Sequence, residues 1–154
     1  MGLGEYLGPD AIEIGIHSRC KREALAHIAE KAAELTGSSV SDIEQALMER
    51  EELGSTGVGH GVAIPHGKVE NLSEVFAMCV LLDQPLEFDA VDDAPVDILF
   101  VLLAPKNASA AHLKALAKAT RLLRDEKVRA ALRGAETTEA IHAILTDTTA
   151  SNAA

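Results

Sequence analysis

Val96-Asp-Ile-Leu-Phe-Val-Leu-Leu103 is the stretch that decides the fold. From Ile98 onward it is apolar without a break, so a strand here is apolar on both faces rather than on one. Strands of that kind sit inside a sheet that helices cover on both sides. The run therefore reads as an inner strand of an α/β protein.

The neighbouring segments supply the other layers. Ala11-Ile-Glu-Ile-Gly-Ile16 alternates apolar with polar or small residues, which suits a half-buried strand. Further strands are predicted at residues 62–64 and 75–82, with a short piece at 86–88. Leu25, Ile28, Ala32 and Leu35 recur at helical spacing after Ser18, a candidate N-cap, and stop at Gly37. Ser41-Asp-Ile-Glu44 has capping-box spacing, and Ile43 and Leu47 mark the inner face of a second helix ending near Gly54. From about Asn107 the period is helical again, with Leu113, Leu116, Thr120 and Leu123 on one stripe and Ser109 as a candidate cap. Two shorter helices are predicted at 126–133 and 138–145, separated by Gly134. Residues 147–154 are polar and small enough to fray. Neither repeats nor low-complexity linkers divide the chain.

At 154 residues the chain reads as one domain with a sizeable core. Cys20 and Cys79 lie far apart in contexts that suit reduced thiols better than a disulfide. The N-terminus lacks a basic start followed by an apolar run, and the apolar stretches are too short to span a bilayer, so a soluble, cytoplasmic protein is expected. A formal charge of −10, from 24 acids against 14 bases, argues against nucleic acid and for solubility or a partner with a basic rim. One Tyr, three Phe and no Trp leave little to stack on bases.

The chemistry points to Gly54-Ser-Thr-Gly-Val-Gly-His-Gly-Val-Ala-Ile-Pro-His-Gly-Lys68, a glycine-rich loop feeding a short apolar strand. It is not a phosphate-cradling P-loop, because five residues separate Gly61 from Gly67 and Val69 follows the lysine. It is not a dinucleotide fingerprint either, since Gly57, Gly59 and Gly61 alternate and lead into a strand. Pro65 keeps Ile64 extended, and Gly67 is expected to let the chain turn away beside the imidazole. The segment presents His66.

Two other residues can be argued toward the same place. Arg50 lies three residues after Leu47 and seven after Ile43, on the inward face of the second helix where it meets the loop. Its alternative is to complement the helix dipole or pair with Glu49, Glu51 or Glu52. His112 falls in the first turn of the third helix, where the N-terminus favours a neutral imidazole and attracts phosphate, its alternative being a capping or core-edge role. His17, His27 and His142 have no motif around them and read as surface or packing residues.

Arg50-Glu51, Gly54-Ser-Thr-Gly-Val-Gly59, Gly61-Val-Ala-Ile-Pro-His-Gly67, Pro85-Leu-Glu-Phe-Asp-Ala90 and His112-Leu113 closely resemble the enzyme IIA (EIIA) proteins of the bacterial phosphoenolpyruvate phosphotransferase system (PTS). Within that fructose/mannitol-type superfamily the chain looks most like the free-standing nitrogen-type IIA. The resemblance implies a three-layer α/β/α fold with a mixed sheet. It implies a PTS EIIA type-2 domain over residues 6–146, with 1–5 and 147–154 as flexible termini. It places the phosphoacceptor at His66, the phosphate-stabilising arginine at Arg50 and a second active-site histidine at His112. Ser55 and Thr56 match the phosphate-binding loop. The sequence departs from the pattern at His60, where relatives carry asparagine or an acid.

The implied donor is a histidine phosphocarrier protein, HPr/NPr-like, charged by enzyme I from phosphoenolpyruvate, with neither metal nor cofactor at this step. Nitrogen-type relatives act on targets such as potassium transport regulators and sensor kinases. The physics suits the role. A neutral imidazole, which ordinarily titrates near pH ~6.5, offers a lone pair at cytoplasmic pH, and a nearby cation and donors stabilise the transferring group.

Competing classes are a sugar-specific IIA component passing phosphate to a separate IIB, a metal-dependent hydrolase using His60, His66 and His112, and a ligand-free interaction scaffold. The metal reading is disfavoured by spacing, because His60 and His66 are six apart across a segment with Gly and Pro.

Overall fold

The computed structural model describes residues 3–146. The expected fraying of residues 147–154 lies outside the described residues. Leu3–Glu5 forms a 3-10 turn that buries Leu3. The strands are β1 (Leu7–Ile16), β2 (Gly57–Gly59), β3 (Val62–Ala63), β4 (His66–Val69), β5 (Phe76–Leu86) and β6 (Val96–Pro105). The helices are α1 (Lys21–Thr36), α2 (Val40–Leu53), α3 (Ser109–Arg124), α4 (Glu126–Gly134) and α5 (Thr138–Thr146).

β6 is the inner strand expected from its sequence. Ile98 through Ala104 are each 0% exposed, because β6 pairs on both edges and is covered on both faces. On one side it runs antiparallel to β5, which runs parallel to β1. Along the other it runs parallel to β3 and β4, and β2 closes the order antiparallel to β3. The sheet is therefore mixed. The α1–α2 pair covers one side and α3 to α5 the other, giving the three-layer arrangement.

One irregularity positions the site. β3 and β4 meet β6 at a constant offset, with Val62 opposite Ile98, Ala63 opposite Leu99 and His66 opposite Leu102. They are one strand interrupted at Ile64-Pro65. Pro65 has no N–H to give, yet its carbonyl accepts from Leu102 N at 3.0 Å, so the ladder continues past the gap. The Ile64 N–H turns instead to the Thr56 carbonyl at 2.9 Å and ties the strand to the glycine-rich loop.

Several local expectations are corrected. β1 begins at Leu7 rather than Ala11, with its register shifting between Leu7 and Ile12 to accommodate Gly8-Pro9-Asp10. Ser18 does not cap α1. Cys20 occupies the N-cap position without a side-chain bond, and Glu23 reaches back to the Arg19 N–H at 3.2 Å instead. The capping box of α2 is shifted by two residues: Ser39 is the N-cap, its hydroxyl accepting from Asp42 N at 3.3 Å. Ser109 is the first helical residue of α3, after Ala108, and its hydroxyl receives Lys68 Nζ at 2.7 Å. Gly67 does not turn the chain away. It lies within β4, and a Cβ there would come within 3.2 Å of Ala46 Cβ, so its lack of a side chain lets α2 approach the strand.

Candidate functional site

His66 opens β4 at the point where the two helical layers both reach the sheet edge: α2 brings Arg50 and the first turns of α3 bring His112. The imidazole has its two nitrogens sorted by their partners. Nδ1 lies 2.8 Å from the Ile64 carbonyl, which can only accept, so Nδ1 carries the proton. Nε2 lies 3.2 Å from Arg50 Nε, which can only donate, so Nε2 carries the lone pair. The Thr56 N–H, across from Ile64, goes to Glu51 rather than to that carbonyl, which leaves it to the imidazole.

Arg50 takes the inward position expected of it and none of the acidic alternatives as its hydrogen-bond partner at the site. Its NH1 donates to the Gly54 carbonyl at 2.8 Å while Nε faces His66. The guanidinium is thus held by the C-terminal end of its own helix and aimed at the imidazole. The His112 ring meets the His66 ring edge to face, with centroids 5.6 Å apart and planes at 68°. His112 is 7% exposed, and its Nε2 has no hydrogen-bond partner among the described residues.

Both rings are held neutral. Burial lowers the His66 pKa from the usual 6.5, the Arg50 charge lowers it further, and the Ile64 carbonyl and Glu51 oppose the shift. Burial also lowers the His112 pKa, with His66 and Lys68 adding to the effect. Lys68, two residues past His66, was missed by sequence reasoning. Its anchoring on Ser109 Oγ brings a second cation to the border of the site.

Ser55 and Thr56 lie in the loop as expected, but their hydroxyl protons are engaged by residues outside it. Ser55 Oγ donates to the Phe88 carbonyl at 2.5 Å and accepts from Gly57 N at 3.0 Å. Thr56 is buried, and its Oγ1 donates to Glu51 Oε1 at 2.5 Å. Glu51 was quoted in the Arg50-Glu51 pair and weighed as a partner for Arg50, but sequence reasoning gave it no role of its own. The signal was present: Glu51 falls four residues after Leu47 and eight after Ile43, so a carboxylate occupies the apolar stripe.

His60 is not brought to His66. It sits at the β2–β3 turn with φ 58, a left-handed backbone that asparagine adopts more readily than most residues. Its N–H donates to Asp92 at 3.0 Å and its carbonyl accepts from Arg133 at 2.7 Å, so it faces α4. Among the described residues there is no cluster of three or more His, Cys, Asp or Glu side chains arranged to hold a metal ion. The remaining histidines have partners of their own: His17 with Asp83, His27 with Glu13 and His142 with the Leu7 carbonyl. Both cysteines are free, and burial pushes the Cys79 thiol up to about 12. Among the described residues no helix is long and apolar enough to cross a membrane.

The comparisons with known proteins point to one family. A family model described as "Phosphoenolpyruvate-dependent sugar phosphotransferase system, EIIA 2" matches residues 5–148. The chain is 44% identical over 145 residues to the nitrogen regulatory protein of Bradyrhizobium diazoefficiens, covering 94% of this chain and 95% of that one. The crystal structure of nitrogen regulatory protein IIA-Ntr from Neisseria meningitidis superposes with a TM-score of 0.89 at 33% identity, covering 94% and 99% of the two chains. The Escherichia coli complex of enzyme IIAMTL with phosphorylated enzyme IIBMTL shares the fold, with a TM-score of 0.77 at 20% identity, covering 90% and 95%. The chain belongs to the EIIA 2 family of the phosphoenolpyruvate-dependent phosphotransferase system.

Proposed function

We propose that this protein is a phosphocarrier and regulator of a nitrogen-type phosphotransferase system, accepting a phosphoryl group on His66 Nε2 from an HPr/NPr-like histidine phosphocarrier. The observation that carries the reading is the sorting of the imidazole nitrogens, with the proton fixed on Nδ1 by Ile64 and the lone pair on Nε2 facing Arg50.

The transfer is a single displacement. The Nε2 lone pair attacks phosphorus in line, the P–N bond to the donor imidazole breaks, and the donor ring recovers its electron pair. The Nδ1 proton stays with His66, and the Ile64 carbonyl accepts it more strongly as the phosphorylated ring becomes cationic. Arg50 gives up Nε2 to the incoming phosphorus. Its guanidinium, still tethered through NH1 to Gly54, then lies beside the equatorial oxygens and stabilises their charge. His112 Nε2 supplies a further group at the phosphoryl oxygens, and Ser55 and Thr56 keep the loop in place beside them. The α3 N-terminus adds a favourable dipole.

Neutral rings serve this chemistry. A protonated His66 has no lone pair on Nε2, and its charge would oppose Arg50. Likeness in sequence to nitrogen regulatory proteins supports a regulatory output in the cytoplasm, in which phosphorylation of His66 changes which target is bound, potassium transport regulators and sensor kinases being the expected classes.

Incubation with phosphoenolpyruvate, enzyme I and the phosphocarrier is expected to label the chain with acid-labile, alkali-stable phosphate, and His66→Ala to remove the label. Label that persists in this variant contradicts the proposal. Affinity capture with the phosphorylated and unphosphorylated forms then identifies the target.

A further inference from the structure

We propose that Glu51 is a positioning residue for phosphoryl transfer: it fastens residues 54–56 so that the Gly54 carbonyl holds the Arg50 guanidinium against His66. This rests on His66 being the acceptor, as proposed above.

Glu51 is 8% exposed, and a carboxylate at that depth is costly unless its oxygens are filled. They are. Oε1 accepts from Thr56 N at 3.2 Å and Thr56 Oγ1 at 2.5 Å, while Oε2 accepts from Thr56 N at 3.0 Å and Lys21 Nζ at 3.0 Å. The chain between Glu51 and Thr56 is thereby closed into a ring, and the Gly54 N–H donates to the Glu51 carbonyl at 3.2 Å within it. Inside that ring lies the Gly54 carbonyl, which receives Arg50 NH1. The path from carboxylate to imidazole is thus continuous: Glu51 to Thr56, the turn to Gly54, Gly54 to Arg50, Arg50 to His66.

A second strap secures the same turn from the outside. Lys21 lies over the Phe88 ring, 5.1 Å from its centroid, and 3.4 Å from Asp89, while Ser55 bonds the Phe88 carbonyl. Glu51 joins the two straps, since Lys21 and Thr56 both end on it. A neutral amide could not replace it. Glutamine offers one acceptor oxygen and two donor hydrogens, so either Thr56 or Lys21 would face a donor. The strain would be relieved in the turn, and Arg50 would lose its anchor.

Glu51 hydrogen-bonds to neither Arg50 nor His66, and its burial keeps it from the partner protein. Its charge does act on the His66 ring, opposing the lowering of its pKa, but above pH ~6.5 the ring is neutral with or without that charge, so at such pH the effect on the rate should pass through Arg50. That separates it from a residue that merely stabilises the fold. A stabiliser would lower the rate independently of Arg50, whereas a positioning residue has nothing left to position once the guanidinium is gone.

The experiment is single-turnover transfer from the phosphorylated phosphocarrier to wild type, Glu51→Gln, Arg50→Ala and the double variant. Glu51→Gln is expected to slow transfer roughly ten- to a hundredfold, with the carrier concentration at half-maximal rate unchanged. In the Arg50→Ala background the same substitution is expected to change the rate less than about twofold. A full additional loss there, or a wild-type rate in the single variant, overturns the proposal. Thr56→Val, which keeps the side-chain shape and removes one donor to Glu51, is expected to show a smaller loss in the same direction, and an undiminished rate contradicts the path. A second readout needs no phosphate. In Glu51→Gln the Arg50 Nε proton is expected to lose its protection from exchange in NMR spectra of the unphosphorylated protein, and retained protection overturns the proposal. Failure to label the wild-type chain would instead count against His66 as acceptor, so the two failures are distinguishable.

Discussion

Arg50 Nε donates to His66 Nε2 across 3.2 Å, so the positive charge that would stabilise a phosphoryl group is parked on the nitrogen that would receive it. The guanidinium depresses protonation of the ring and hydrogen-bonds its lone pair. Arg50→Ala is therefore expected to do two separable things. Transfer should slow by roughly a hundredfold, the scale of losing one charge-stabilising donor. The His66 titration midpoint should rise, because a group that lowers it is removed. Arg50→Lys should recover only part of the rate, since a point charge cannot face His66 and hold the Gly54 carbonyl in one planar fork. Rapid-quench kinetics and NMR titration of the imidazole measure the two effects.

The pH dependence follows from the sign of the shifts. His66 and His112 both have folded pKa values below 6.5, so between the folded and unfolded values the unfolded chain binds protons that the folded chain does not. Stability linked to these rings is fully present above pH ~6.5 and is lost as pH falls through the folded values. The Nε2 lone pair of His66 is lost over the same range. NMR midpoints for both rings are expected below 6.5, with the acid limb of the transfer rate following that of His66. A midpoint above 6.5 for His66 would contradict the lowering by burial and by Arg50.

His112 should separate stability from activity. Its buried Nε2 lacks a partner among the described residues, a condition that costs about 1–3 kcal/mol. His112→Leu, of similar volume, is expected to leave unfolding free energy unchanged or raise it by about 1 kcal/mol, while slowing transfer at least tenfold. Urea unfolding and transfer kinetics on the same preparation test both halves. A destabilised variant with normal transfer would return His112 to a core-edge role.

Two glycines should differ in cost. A Cβ at Gly57 would lie 2.7 Å from Ala90 Cβ and 2.9 Å from Ala90 Cα, so backbone must move. At Gly67 the nearest atom is Ala46 Cβ at 3.2 Å. Gly57→Ala is expected to lose about 2–3 kcal/mol of stability, and Gly67→Ala about 1 kcal/mol with a measurable fall in transfer as α2 is pushed from β4. Thermal unfolding of the two variants gives the order.

The inner strand and the helices on both sides of its sheet were legible because Ile98 to Leu103 admits little else, and the mixed character of the sheet followed from the resemblance rather than from periodicity. Helix starts were harder to read. Ser18, Ser41 and Ser109 are each good caps by type, but Ser39 offers the same capping spacing two residues earlier and Glu23 does the reaching at α1. β4 escaped notice because Pro65-His-Gly67 reads as a turn, and only the neighbouring strand shows that the register continues through it. In the site, Arg50 and His112 were argued from helical spacing, and the structure brings both to His66. Which nitrogen bears the proton was out of reach, since it depends on the Ile64 carbonyl facing the ring, a contact set by the folded loop. Glu51 was readable as a charge on an apolar stripe, but its partners on α1 and in the loop are set by tertiary packing.

The account stands most directly on which atom is phosphorylated. Phosphorus-coupled nitrogen NMR of the chain labelled with 15N-histidine, recorded after phosphorylation by phosphoenolpyruvate, enzyme I and the phosphocarrier, reads this without mutation. The expected spectrum shows the P–N coupling on His66 Nε2 with the proton retained on Nδ1, whereas coupling on Nδ1, or on any other histidine, would contradict the account.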